Sequence, residues 1–187
     1  MKPKSKSQRI KYLSVEQQQE LLNAIIDRRD KLIIRLLIDT GMRIGEFTLM
    51  KVENILKEES YINIPEENTK TKTARTVRIN KEIMNDLISY MKDGGIKDGY
   101  IWRGNKRASH ITPRAMQQMI KKYGTMVNLA WLTPHKFRHT HIVRALERGV
   151  PVNAVQQQVG HAEITTTQIY SRLAPREIKN SYERAGL

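Results

Sequence analysis

Apolar residues recur at helical spacing along much of the chain. Val15, Leu21, Leu22, Ile25 and Ile26 share one face of a helix that runs to Arg28, and Ser14 with Gln17 three residues on forms a capping box at its start. A second helix is expected after Asp30, where Leu32, Ile33, Leu36 and Leu37 keep the period until Thr40-Gly41, glycine being a natural stop. A short helix over residues 44–50 follows. Near Tyr61–Ile64 and residues 76–79 the pattern changes to alternating β-branched positions, with a connector rich in threonine and lysine between them, which predicts a hairpin or small sheet. Ile83, Leu87, Ile88 and Met91 mark another helix closed by Gly94-Gly95, and residues 100–102 add a short strand. Thr112-Pro113 and Thr133-Pro134 each set an N-cap before a first-turn proline, opening helices of about 11 and about 15 residues. Gly149 ends the second, and short helices are expected over residues 152–158, 164–170 and from Pro175 onward. The pattern predicts an α+β domain, mainly α, with one small antiparallel three-stranded sheet.

Charge adds a partner to this outline. The 187 residues carry 33 lysines and arginines against 19 acids, a formal charge of +14. Residues 1–12, 68–81 and 103–122 contain no acid and hold 16 of those cations. The remaining 141 residues have a net charge of −2, so a near-neutral scaffold wears three basic strips. Such strips fit a polyanion, nucleic acid first. Anionic lipid or heparin is a weaker fit, since no strip carries the apolar face of an interfacial helix. There is no cysteine, which excludes a disulfide framework, a thiolate nucleophile and a cysteine-rich zinc site, and points to an intracellular, cytoplasmic setting. The longest apolar run, residues 32–38, is interrupted by Arg35 and is far short of the ~20 residues of a membrane span. The basic N-terminus leads into Ser14-Val15-Glu16-Gln17 and not into an apolar secretory segment.

Four segments combine into a chemical pattern: Thr40-Gly41-Met42-Arg43-Ile44-Gly45-Glu46, the Lys70-Thr71-Lys72 tip, His135-Lys136-Phe137-Arg138, and Gly160-His161 followed nine residues on by Tyr170. Each alone has an ordinary explanation, as a solvated arginine, a helix-surface histidine or one of seven tyrosines. In this order and spacing they resemble the catalytic domain of the tyrosine recombinases, the family of phage-type integrases and Xer-like chromosome-dimer resolvases. The resemblance covers residues 12–175 or so, and the family's arginine, hairpin lysine, histidine-x-x-arginine, glycine-histidine and tyrosine fall on Arg43, Lys70, His135, Arg138, His161 and Tyr170. Val159 stands where leucine commonly precedes the glycine-histidine pair, a change of similar volume.

The chemistry of phosphodiester cleavage explains these residue types. Charge builds on the equatorial oxygens as attacking and leaving groups line up across phosphorus, and fixed cations stabilise that state. Arg43 and Arg138 suit the task because a guanidinium stays protonated and its planar fork grips two oxygens. They lie 95 residues apart, so only folding brings them together. Tyr170 is the candidate nucleophile, a phenol that needs cationic neighbours and a proton acceptor, for which His135 and His161 are candidates. His135 and Arg138, three apart on a helix, share a face. The leaving 5′-oxygen needs a proton, and Lys70 aligns best with the family's lysine because Thr69-Lys70-Thr71 is read as the end of a strand; Lys72 is its rival. Glu46 is read as orienting Arg43, with a plain surface salt bridge as the ordinary alternative. The resemblance implies a 3′-phosphotyrosyl link and a free 5′-hydroxyl, so that rejoining needs no nucleotide cofactor. No paired-carboxylate metal cluster appears, and neither metal nor cofactor is expected.

Two other readings stay open at this point. A non-catalytic DNA-binding module accounts for the charge but not for the ordered site set, and a type IB topoisomerase shares the chemistry. His135 and His139 have zinc-protease spacing, but Lys136 stands where that motif needs glutamate. Lys72, Arg75, Arg78, Lys106, Arg107 and Arg114 are candidates for gripping double-stranded DNA. The expected organisation is a basic arm or linker over residues 1–12 and a catalytic domain over 13–187, of which 171–187 resemble the family's C-terminal tail. The family's separate N-terminal core-binding domain, of about 100 residues, has no counterpart ahead of Ser14. The resemblance implies a homo-tetramer on two DNA duplexes, with a monomer as the alternative off DNA.

Overall fold

The computed structural model describes residues 11–69, 72–104, 109–160 and Glu183. Seven helices and one three-stranded sheet are found among them. Helix α1 (Val15–Asn23) opens with the expected capping box: the Ser14 hydroxyl accepts from the Gln17 amide at 3.1 Å and the Gln17 side chain accepts from the Ser14 amide at 3.0 Å. It stops at Asn23, short of Arg28, because Asp27 caps the next helix by accepting from the Asp30 amide at 2.8 Å. Ile26 therefore lies between helices and is 96% exposed, off the face that periodicity assigned it. Helix α2 (Arg28–Thr40) starts before Asp30 and ends at Gly41, whose φ of +63° is the left-handed cap glycine tolerates.

The turn after Gly41 leads into α3 (Ile44–Thr48), shorter than expected. The sheet has order β1-β2-β3, from β1 (Ile55–Leu56), β2 (Tyr61–Ile64) and β3 (Arg75–Arg78), antiparallel throughout. Its third strand is β1; Tyr100 forms only an isolated bridge to Lys51, so residues 100–102 are not the strand expected there. Ile62 pairs opposite Val77 and both are fully buried, which fixes the register by the hydrophobic face. After Ile64 the chain enters a 3₁₀ turn, Glu66–Asn68, so Thr69 ends a turn and not a strand.

Helix α4 (Lys81–Asp93) ends at Gly94 as expected. Helices α5 (Pro113–Met126) and α6 (Pro134–Glu147) each have 14 residues and start with proline in the first turn. Helix α7 (Val152–Val159) ends at Gly160, φ +69°. The helices expected over 164–170 and from Pro175 lie outside the described residues, as does the arm over residues 1–10. Among the described residues no helix is long and apolar enough to cross a membrane.

Two apolar clusters hold these elements. The larger runs from Leu13 through Leu36, Leu37, Phe47, Trp102 and Phe137, and Phe47 stacks on Trp102 with ring centroids 5.3 Å apart, directly behind α3. Burying a phenylalanine of this kind contributes about 1.5–3 kcal/mol. The smaller joins the second half of α6 to α7 through Ile142, Val143, Leu146, Val155 and Val159. Helix α6 thus belongs to both, with Phe137 in one cluster and Leu146 in the other.

Candidate active site

Arg43 stands at the N-cap of α3, where the Gly41 turn delivers it. Its Nη1 donates to Glu46 Oε1 at 3.0 Å, its amide to Glu46 Oε2 at 3.2 Å, and its Nη2 to the Gly160 carbonyl at 2.9 Å. Glu46 is buried and holds Arg43 by the first two of these bonds. A second arginine shares that carboxylate: Arg75 Nη1 reaches Oε1 at 3.1 Å and Nη2 reaches Oε2 at 2.7 Å. Burial pushes the Glu46 carboxyl up, but its bonds to Arg75 and Arg43 outweigh this and hold it below the usual carboxylate range.

Arg138 rises from α6 into the same cluster and is only 3% exposed. Its Nη1 donates to the Gly41 carbonyl at 2.8 Å, two residues before Arg43, whereas its Nη2 is buried with no hydrogen-bond partner. Burial and the charges of Arg43 and Arg75, opposed by Glu46, bring its pKa down to about 9, so it remains a cation at neutral pH. An unpartnered buried guanidinium nitrogen is costly unless an anion completes it. Three guanidiniums face one carboxylate here, a surplus of two positive charges in a partly water-excluded setting.

His135 lies one turn before Arg138 on α6, exposed, its ring edge-on to that of His139 with centroids 4.4 Å apart. Burial, then the charges of Arg138, Lys136 and Arg43, lower its pKa, so it is neutral and able to accept a proton at neutral pH. Among the described residues no three histidine or carboxylate side chains converge as a metal ligand set. The arrangement can bind a tetrahedral oxyanion through two arginines and manage a proton beside it.

The structure brings Arg43, Glu46, His135 and Arg138 together; Lys70, Lys106, Arg107, His161 and Tyr170 lie outside the described residues. Lys72 is exposed with φ +53°, and Arg78 and Arg114 are exposed, as residues available to DNA would be. Arg75 is a correction. Its side chain is 12% exposed and tied to Glu46, so it lies beneath the site and not on the DNA-gripping surface. A signal for this was available, since Arg75 and Val77 are two apart in a strand and share its inward face.

Gln158 completes the frame. Its side-chain amide accepts from the Arg78 amide at 2.9 Å and donates to the Arg78 carbonyl at 2.8 Å, so α7 is fastened to β3 as a strand partner would be.

Residues 11–177 match the phage integrase family model. The chain belongs to the phage integrase family, the tyrosine recombinases. The tyrosine recombinase XerA of Pyrococcus horikoshii is 30% identical over 179 residues, 95% of this chain and 62% of that protein. The crystal structure of XerA recombinase superposes with a TM-score of 0.76 at 28% identity, over 99% of this chain and 66% of that one. XerH site-specific recombinase bound to difH substrate, in a pre-cleavage complex, shares the fold with a TM-score of 0.72 at 20% identity, over 86% of this chain and 49% of that one. The chain thus spans less than two thirds of each of these proteins. Its mainly helical fold with a three-stranded antiparallel sheet is that of the family's catalytic domain.

Proposed function

We propose that this chain is the catalytic domain of a site-specific DNA recombinase that breaks and rejoins strands through a covalent tyrosine link, without metal or cofactor. The observation that carries the reading is Arg138: a buried cation with one Nη left over, beside Arg43 and beneath His135. A module that only bound DNA would have no use for such a group, because phosphate grip is made by exposed cations.

In the proposed reaction Tyr170 Oη attacks phosphorus while its proton passes to a histidine, His161 or His135. Arg43 and Arg138 stabilise the charge that grows on the two non-bridging oxygens. The bond to the 5′-oxygen breaks, and Lys70 or Lys72 supplies the proton that makes it a 5′-hydroxyl. The phosphotyrosyl bond conserves the energy, so a 5′-hydroxyl from a second strand reverses the step and joins new ends. Double-stranded DNA is the partner, as difH is for XerH, and the exchange of two duplexes calls for a homo-tetramer acting in the cytoplasm.

The test uses the 187-residue chain and duplexes selected by binding from a random-sequence pool, then nicked near the centre so that cleavage cannot reverse. The wild type is expected to leave a denaturant-stable protein–DNA adduct, and Tyr170→Phe to bind the same duplex and leave none. Equal adduct from both overturns the assignment.

A further inference from the structure

We propose that Arg75 is a positioning residue for strand cleavage: by holding both oxygens of Glu46, reaching the Gln158 carbonyl and packing against Gly160, it leaves the charge of Arg43 available to the phosphate. This rests on the strand-cleavage reading above and adds to it a residue that touches no substrate.

Charge supports this role. Glu46 is 2% exposed at its side chain and meets two guanidiniums. Paired with Arg43 alone it would form a neutral couple, and the attraction of Arg43 for a phosphate would be largely cancelled. Arg75 takes the shorter contact, 2.7 Å against 3.0 Å, and grips both oxygens. The trio then keeps one positive charge, and Arg43 presents it, because Arg75 is turned inward.

Shape supports it as well. The Arg75 guanidinium lies against the Cα of Gly160 so closely that a Cβ there would come within 2.6 Å of Cζ. Arg75 Nε also reaches the Gln158 carbonyl in a long contact of 3.5 Å, while Arg43 Nη2 holds the Gly160 carbonyl. Two arginines bound to one carboxylate therefore clasp the residue directly before His161. At φ +69° only glycine sits there without strain, so backbone and guanidinium are matched.

Arg75→Gln and the double variant Glu46→Gln/Arg75→Gln separate positioning from support. On the selected nicked duplex, Arg75→Gln is expected to form adduct about 10²-fold more slowly under single turnover, the size of losing a preorganised donor, with DNA affinity changed less than about threefold. The double variant, which has no buried carboxylate left to neutralise Arg43, is expected to regain about tenfold or more of that rate. Arg75→Lys keeps the charge without the fork and covers the case in which Arg75→Gln does not fold; it is expected to fall between the wild type and Arg75→Gln, about tenfold down. A wild-type rate in Arg75→Gln overturns the proposal, and so does a double variant that melts like Arg75→Gln yet regains nothing. If the wild type itself forms no adduct, the strand-cleavage reading fails, and Arg75 is judged by affinity for inorganic phosphate measured by phosphorus NMR. Weaker binding in Arg75→Gln, restored in the double variant, upholds the positioning role; equal binding in all three overturns it.

Discussion

Arg43 and Arg138 stand on the larger of the two apolar clusters, whereas the chain that leads to His161 and Tyr170 leaves from the smaller. Behind Arg43 lie Phe47 and Trp102, and one residue before Arg138 lies Phe137, all at most 1% exposed. Behind Gly160, among the described residues, are the five buried side chains shared by α6 and α7. What α7 lacks in apolar contact it gains in polar fastening, through Arg43 to Gly160, Arg75 to Gln158, and Gln158 to Arg78. The cations of the site thus stand on the larger hydrophobic core, and the end of α7 is held by hydrogen bonds that converge on the same cations. The placement of these cations and that of Gly160 are linked through Glu46.

The sharpest way to break this contrast is at Arg138. Arg138→Lys keeps a charge but loses the fork and the bond geometry to Gly41, and cleavage is expected to fall about 10³-fold with binding nearly unchanged. Single-turnover adduct formation set against equilibrium binding checks it, and a parallel loss in both would move Arg138 to DNA docking. Next is His135, whose replacement by glutamine is expected to slow cleavage about 10²-fold. Its pKa lies below the ordinary histidine value, so the base form persists into mildly acid solution. The wild-type rate should stay level as pH falls through 6.5 and decline only below it, and a decline starting above 6.5 would point to another group.

Stability separates the two clusters directly. Phe47→Ala opens the larger core and is expected to cost about 3–5 kcal/mol in global unfolding by urea. Val159→Ala removes two methyls from the smaller cluster, and is expected to cost about 1–2 kcal/mol and to speed amide exchange in α7 while α2 stays protected. If α2 and α7 lost protection together, the clusters would be one cooperative unit. The smallest effect is expected at Arg114, exposed on α5, where alanine should reduce the salt slope of DNA binding by about one unit and leave saturated cleavage unchanged.

What could be read from the sequence followed how local each signal is. The caps at Ser14 and Thr112 act within three residues, and both form as read. Strand β1 has only Ile55 and Leu56, too few positions for alternation to show, so the sequence pattern points to residues 100–102 for the third strand. Ile26 fits a helical period, yet the Asp27 cap, a competing local bond, places it between helices. Arg43, Glu46, His135 and Arg138 stand out in the sequence through their resemblance to the family's motifs, and helix spacing adds only that His135 and Arg138 share a face. Arg75 does not stand out, because a strip of like charge suggests solvent, and only its buried partner 29 residues earlier in the chain explains why a cation points inward. The link between α7 and β3 through the Gln158 side chain likewise joins residues 80 apart, beyond any periodicity.

The central claim is that a tyrosine of this chain becomes joined to DNA. After reaction of the wild-type chain with the nicked duplex, protease digestion and mass spectrometry of the adduct locate the bond. The account predicts one DNA-bearing peptide that contains Tyr170, carrying a 3′-phosphate and released with a 5′-hydroxyl on the partner fragment. A bond at any other residue, or a 5′-phosphate on the linked strand, would contradict it.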